Sequence, residues 1–406
     1  MGLTPHRDSA ARFVELIGTE VWNARLAELH RAAAAGPRIG RALLLRHVIE
    51  CTIDRLCNRP ALPAGSPPAS TPAPGETAIA TLCAEAVRLA ADLEPAGRAR
   101  LRAALHAALA DTNSLVPLFH LLRTAALQRA RGFEVRAAGF ADAAPFDLLI
   151  RRQGVEAEVS CEVVSAETGR DVHRGAWFRL VDRIDPELQT WLAAHPGRYL
   201  LKITLPRGLR ESADDADLLA SLHSRITGLL SAQRRSDHDE AAVLRLDPLL
   251  IAAAQADEMG LMPQLRREFG PEAHLAVTAA GGGLFVLAAR AGREDEVAAA
   301  VRRRMAEIAP TRLSGTRPGI LAMFIEDTDR TQWHGLRERL ELEGEARQFM
   351  THPLARQVVA VTCVSRLELF GLADAAATAE GDLRFRNPAH PAAKAAGLAP
   401  AVLSSL

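Results

Sequence analysis

Apolar residues recur at three- and four-residue spacing in "SAARFVELIGTEVWNARLAELHRAAAAG" and "RIGRALLLRHVIECTIDRLC". That period predicts two or three helices over residues 8–58, broken at Gly36-Pro37. The stretch "RPALPAGSPPASTPAPGE" then carries six prolines between Pro60 and Pro74. Such a segment has little to bury and favours extended backbone, so it reads as a linker. The expected division is a helical N-terminal region at 1–59, a Pro-rich linker at 60–76 and an α/β region at 77–406. Helical periodicity resumes from Thr77 to Ala130 in roughly three pieces, the last being "SLVPLFHLLRTAALQRA", with Gly132 placed to stop it.

Beyond Gly132 the period shortens. Short strands are expected at 133–139, 146–152 and 155–165, followed by a helix over "AWFRLVDRIDPELQTWLAAH", which Pro196-Gly197 ends, and a buried strand "RYLLKITLP". The order is αβββαβ, a mixed-sheet unit at about 117–206. Helices at about 212–235 and 247–268 follow, then a hairpin across "HLAVTAAGGGLFVLAAR" and a long helix "REDEVAAAVRRRMAEIA". The chain continues with a buried strand "GILAMFIED", a helix near 330–348, a strand "QVVAVTCVSRLEL" and a terminal "LRFRNPAHPAAK", read as a strand closing the sheet. Alternating strands and helices predict an α/β fold that extends this sheet or adds a second layer.

Composition narrows the classes. At 406 residues and 48% hydrophobic, the chain has room for two or three domains and a sizeable core. Lys+Arg and Asp+Glu are both 49, so no overall field draws it to polyanions. Its only lysines are Lys202 and Lys394, and with Ala abundant and Tyr scarce this reads as the codon bias of a GC-rich bacterial genome. Cys51, Cys57, Cys83, Cys161 and Cys363 are odd in number and scattered, without zinc spacing, which fits free thiols in a reducing cytoplasm. No signal peptide is apparent at the N-terminus and no apolar run reaches about 18 residues, so a cytoplasmic protein without membrane spans is expected.

Candidate chemistry gathers on two of the strands. Asp147 stands where the apolar run "LLI" begins, and an unpartnered carboxylate buried there would cost several kcal/mol. In "VEAEVSCEVVS" a period of two puts Val159, Cys161 and Val163 on one face and Glu158, Ser160, Glu162 and Val164 on the other. Two acids on one face, beside the strand bearing Asp147, form an oxygen cage of the kind Mg²⁺ takes.

A helix, "GFEV", "P-x-D-LLI" and an acid inside the third strand resemble the PD-(D/E)xK, or restriction-endonuclease-like, superfamily. The resemblance implies an αβββαβ core in which Asp147 and Glu162 hold a divalent metal. A lysine two residues after the Glu would orient the attacking water. Val164 occupies that lysine position, and His120 falls near the place of the acid that many members carry on the first helix. Substitute cations are Lys202 inside "YLLKITL", if its strand runs beside that of Glu162, and Arg170 and His173, which with Arg174 follow a Gly-containing loop.

Other polar groups have plainer readings. Glu326, Asp327 and Asp329 close a strand, where ligand sites of α/β sheets gather, or else Asp329 or Thr328 caps the next helix while the others face water. The three glycines of "AAGGGLF" fit a hairpin turn better than a phosphate cradle. Between Arg98 and Arg136 seven arginines meet two acids, a candidate nucleic-acid face or an ordinary arginine-rich surface. Two functional expectations follow. One is a Mg²⁺-dependent nuclease-like protein acting on DNA or RNA, with Asp147 and Glu162 on the metal and Lys202 as the positive group. The other is a non-catalytic nuclease-fold protein that binds nucleic acid or a protein partner.

Overall fold

Two mixed sheets organise the chain in a computed structural model, which describes residues 5–58, 73–211, 215–249, 258–270, 272–367 and 382–404. The first helices are α1 (Pro5–Ile17), α2 (Thr19–Ala33), α3 (Pro37–Arg46) and α4 (Val48–Asn58), then α5 (Pro74–Asp92), α6 (Pro95–Ala108) and α7 (Val116–Ala130). Next come β1 (Glu134–Arg136), α8 (Ala138–Asp142), β2 (Leu148–Arg152), β3 (Val155–Ser165), α9 (Arg174–Ala194) and β4 (Arg198–Leu205). The middle of the chain holds α10 (Asp215–Ser231), β5 (Ser236–His238), β6 (Val243–Pro248), α11 (Glu258–Phe269), β7 (His274–Ala280) and β8 (Gly283–Ala291). The last part holds α12 (Val297–Arg312), β9 (Gly319–Glu326), α13 (Arg330–Glu338), α14 (Glu341–Met350), β10 (Val358–Ser365), β11 (Leu383–Arg386) and the short α15 (Ala399–Val402). Most of the Pro-rich stretch, 59–72, lies outside the described residues, while Pro74 opens α5.

The chain divides into two compact units. The first comprises Met1–Arg31, Leu44–Ala166 and Ala298–Leu406; the second comprises Ala32–Leu43 and Glu167–Val297. The helices on either side of the Pro-rich stretch, α4 and α5, belong to the same unit. Phe13, Ile17, Ile49 and Ile53 share one core with Leu101, Phe119 and the strand residues Phe324 and Val364. α1 and α4 pack on each other and on α5 within that core.

The first unit is built on a six-stranded sheet of order β1-β2-β3-β9-β10-β11. β1, β2 and β3 form an antiparallel meander, β3, β9 and β10 run parallel, and β11 closes the far edge antiparallel to β10. β9 ("GILAMFIE") and β10 ("VVAVTCVS") are apolar almost throughout because parallel central strands are covered on both faces. On one face Leu121 and Ala125 of α7 pack against Leu148, Ile150, Ala157 and Val159. Arginines of α12 meet the polar residues of the other face.

The second unit carries a five-stranded sheet of order β5-β6-β4-β8-β7. Its larger core sets Trp177, Leu180, Ile184 and Leu188 of α9 and Leu222 and Ile226 of α10 against Leu201, Ile203 and Phe285. The expected hairpin is present as β7–β8, turning at Gly281-Gly282 with φ of +56° and +76°. β5 and β6 fall where helix was expected or nothing was read, because "AAVLRLDP" is too short to show which period it follows.

The 117–206 unit is corrected in one respect. β4 pairs with β6 and β8 and belongs to the second sheet, whereas the strand beside β3 is β9, with Glu162 opposite Met323. Residues 167–297 are thus inserted between β3 and α12, the helix that leads to its sheet neighbour β9. Among the described residues no helix is long and apolar enough to cross a membrane.

Candidate functional site: an acid face closed by arginine

The register of β2 on β3 places Asp147 as expected. Its N–H donates to Val159 O at 3.0 Å, one step before the pair Leu148–Val159, so Asp147 lies across from Ser160 on the face that carries Glu158 and Glu162. Both carboxylates are partly buried, with side-chain exposures of 18% and 17%. The structure therefore brings Asp147 and Glu162 to one surface.

Arginines occupy these acids. Arg312 Nη2, from the last turn of α12, donates to Asp147 Oδ1 at 2.9 Å and Oδ2 at 2.8 Å, and Cys161 N–H donates to Oδ2 at 2.7 Å. Arg304, two turns earlier on the same helix, donates from Nη2 to Glu162 Oε1 at 2.7 Å and from Nη1 to Glu307 Oε2 at 3.1 Å. Burial, reinforced by Glu162, holds the Asp147 carboxyl above its ordinary value despite the opposing pull of Arg312 and Cys161 N–H. The charged form at Asp147 thus depends on its arginine.

The same treatment extends down β3. The fully buried Glu158 accepts from Ser314 N–H at 2.7 Å and from Ser314 Oγ, with Arg317 Nη1 3.6 Å away, and Arg317 Nε donates to Glu156 at 2.7 Å. Ser160 Oγ, between Glu158 and Glu162, is buried and makes no hydrogen bond. The face is a ladder of acids closed by cations from α12 and the loop leading to β9.

The oxygens expected to hold a divalent metal are engaged by arginine in this arrangement. Both Asp147 oxygens and one Glu162 oxygen already accept charge-assisted bonds, and Mg²⁺ would have to displace a guanidinium. Among the described residues no group of three or more His, Cys, Asp or Glu is placed to hold a metal ion. Val164, at the lysine position, is buried. His120, where an acid was expected on the preceding helix, is buried with Nε2 2.8 Å from Ala322 O, and burial lowers its pKa to about 4. It is a neutral core donor.

The cations proposed from sequence lie elsewhere. Lys202 sits in the second sheet opposite Arg245, with Nζ 3.5 Å from Asp247 and 5.9 Å from the centroid of the Phe269 ring. Arg170 is fully buried in the second unit, paired with Glu167 and 3.8 Å from Asp295. His173 precedes the first turn of α9 and accepts from Glu211 N–H at 3.3 Å, and Arg174 N–H donates to Glu167 at 2.8 Å. Arg304 and Arg312 were missed because "VAAAVRRRMAEIAPTR" reads as an ordinary helix. The available signal was a run of arginines on a helix leading straight into a buried strand.

Most of the arginine-rich stretch is tied to neighbouring groups, although Arg98, Arg102 and Arg136 stay exposed. Arg98 binds Ala90 O and Leu93 O at the end of α5, and Arg100 binds Phe140 O and Ala141 O. Arg129 pairs with Glu85, Arg131 with Asp382 and Arg136 with Asp142. In the second acidic cluster Asp329 caps α13, accepting from Gln332 N–H at 2.9 Å, as its position before a helix suggested. Glu326 departs from the solvent-facing alternative, for its side chain is only 12% exposed. The five cysteines are free. Compared with protein-family models, with curated proteins and with solved structures, the chain matches none.

Proposed function

We propose that the chain is a non-catalytic protein of nuclease-like fold that works by binding a partner instead of cutting a phosphodiester. The order of the first unit supports the resemblance. With the inserted residues and the short α8 set aside, α7, the meander β1–β3, α12 and β9 follow the αβββαβ order that the resemblance implies, with Asp147 just before β2 and Glu162 on β3. The observation that carries the non-catalytic reading is Arg312 bridging both oxygens of Asp147. A carboxylate so engaged fastens α12 to the sheet, and a metal bound there would compete with the guanidinium. Balanced charge, and the carboxylate or carbonyl partners that already engage Arg98, Arg100, Arg129, Arg131 and Arg136, favour a protein partner over nucleic acid.

The second reading, a Mg²⁺-dependent nuclease, draws on one observation: Asp147 and Glu162 share a face with a guanidinium beside each, so Arg304 or Arg312 stands in for the absent lysine. Incubation of plasmid and single-stranded substrates with Mg²⁺ or Mn²⁺ separates the two. The expected result is no metal-dependent cleavage by the wild type beyond that of Asp147→Ala and Glu162→Ala. Cleavage that either substitution abolishes would establish the nuclease reading instead. Anisotropy titration with labelled DNA and RNA at physiological salt should show no binding, and salt-dependent binding would overturn the preference for a protein partner.

A further inference from the structure

The parallel strands β3, β9 and β10 end at Ser165, Glu326 and Ser365. The junction of α3 and α4 is tied to these ends twice, by Arg366 Nη1 donating to Leu45 O and by Arg46 Nη2 lying 3.9 Å from Glu326 Oε2. The second tie is unusual. At 3.9 Å the guanidinium attracts the carboxylate without hydrogen bonding to it, and Glu326 Oε1 is buried with no hydrogen-bond partner.

The charges facing Glu326 are mixed. Arg46 and Glu50 come from the α3–α4 junction, Asp327 follows β9 and Arg366 follows β10. Glu50 is itself fully buried, with Oε1 accepting from Leu115 N–H at 3.1 Å and lying 3.3 Å from His47 Nδ1, while Oε2 has no partner. Asp327 accepts from Ser165 Oγ at 2.6 Å in a backbone with φ of +59°, which holds its carboxylate at the strand ends. A second negative charge at Glu326 is thus poorly accommodated, and parting of the junction from the strands would let water reach it.

We propose that Glu326 is a proton-operated catch between the α3–α4 junction and the carboxyl ends of β9 and β10, closed when its carboxyl is neutral and loosened when it ionises. Burial first, then Asp327 and Glu50, push the Glu326 carboxyl up to about 7 against the pull of Arg46 and Arg366. In the loosened state the hydrated carboxyl returns towards its ordinary value of 4.5. The sign follows from that difference. Closure is fully favoured below the ordinary value, weakens as pH rises, and reaches a constant lower level above about 7.

Hydrogen–deuterium exchange of amides 44–58 in the intact chain, corrected for the intrinsic pH dependence of exchange and referenced to α7, tests the catch between pH 5 and 8. Protection should fall by on the order of tenfold per pH unit up to the midpoint and then level off, as one-proton linkage requires. Glu326→Gln, which keeps the shape of the neutral side chain, should give a profile flat against pH. Arg46→Gln removes a cation that favours ionisation and should move the levelling point upward. A wild-type profile that matches Glu326→Gln, or protection that grows with pH, would overturn the proposal.

Discussion

At the scale of single residues, the acid face turns on what each carboxylate has been given as a partner. Asp147 holds its charge through Arg312 and one backbone N–H, so removing either side chain leaves the other half-buried without a counter-charge. Asp147→Ala and Arg312→Ala are each expected to lower unfolding stability in urea by roughly 2 kcal/mol. The double substitution should cost clearly less than the sum. Lys202→Ala, which breaks a half-exposed pair with Asp247, should cost under about 1 kcal/mol. Strict additivity at Asp147 and Arg312 would mean that they do not act as a pair. The acids were legible in the sequence because a strand alternates every two residues, which set Glu158, Ser160 and Glu162 on one face before any partner was known. Their arginines were not, because Arg304 and Arg312 lie 142 and 165 positions away and no local period connects them to β3.

At the scale of elements, the existence of strands and helices was easier to read than their pairing. "RYLLKITLP" and "GILAMFIED" are both short apolar strands that follow amphipathic helices. Either satisfies the demand of β3 for a parallel neighbour, and only the three-dimensional structure distinguishes β9 from β4. Helix breaks are similarly divided. Gly36-Pro37 announces the end of α2, whereas the break between α13 and α14 falls at Leu340, whose φ of +57° no residue type signals. The β7–β8 turn is a place where sequence and packing agree. Gly281 has φ of +56°, and a Cβ there would stand 2.8 Å from Ala193 Cα near the end of α9. Gly281→Val should therefore destabilise the second unit by about 2–3 kcal/mol, read as a lower urea midpoint with the slope unchanged. A midpoint equal to the wild type would show that the hairpin can shift away from α9.

At the scale of the whole molecule, each unit pairs a buried histidine of lowered pKa with a largely buried acid of raised pKa, whose proton demands oppose. His120 and Glu326 serve the first unit, with values of about 4 and about 7; His274 and Asp295 serve the second, with about 3 and about 7. A depressed histidine contributes stability that is complete above about 6.5 and is lost as pH falls. A raised carboxyl contributes stability that is complete in acid and is lost as pH rises towards 7. Between about pH 4.5 and 6.5 the two slopes oppose, so urea unfolding should change little with pH in the wild type. Glu326→Gln removes one side of the balance, and the first unit should then weaken on acidification by up to about 1.4 kcal/mol per pH unit. Equal pH slopes in the variant and the wild type would argue against the balance. The nesting of the chain has a different consequence, in time rather than energy. Glu296 N–H donates to Gly169 O at 2.7 Å, so the two ends of the inserted segment lie side by side, and β3 meets β9 only about 160 positions further along the chain. On the ribosome β3 emerges well before its parallel neighbour, and the residues of β4 to β8 can pair while it waits. Its eleven residues must spend that interval as an open edge, the stage of synthesis at which this protein would be most exposed to aggregation.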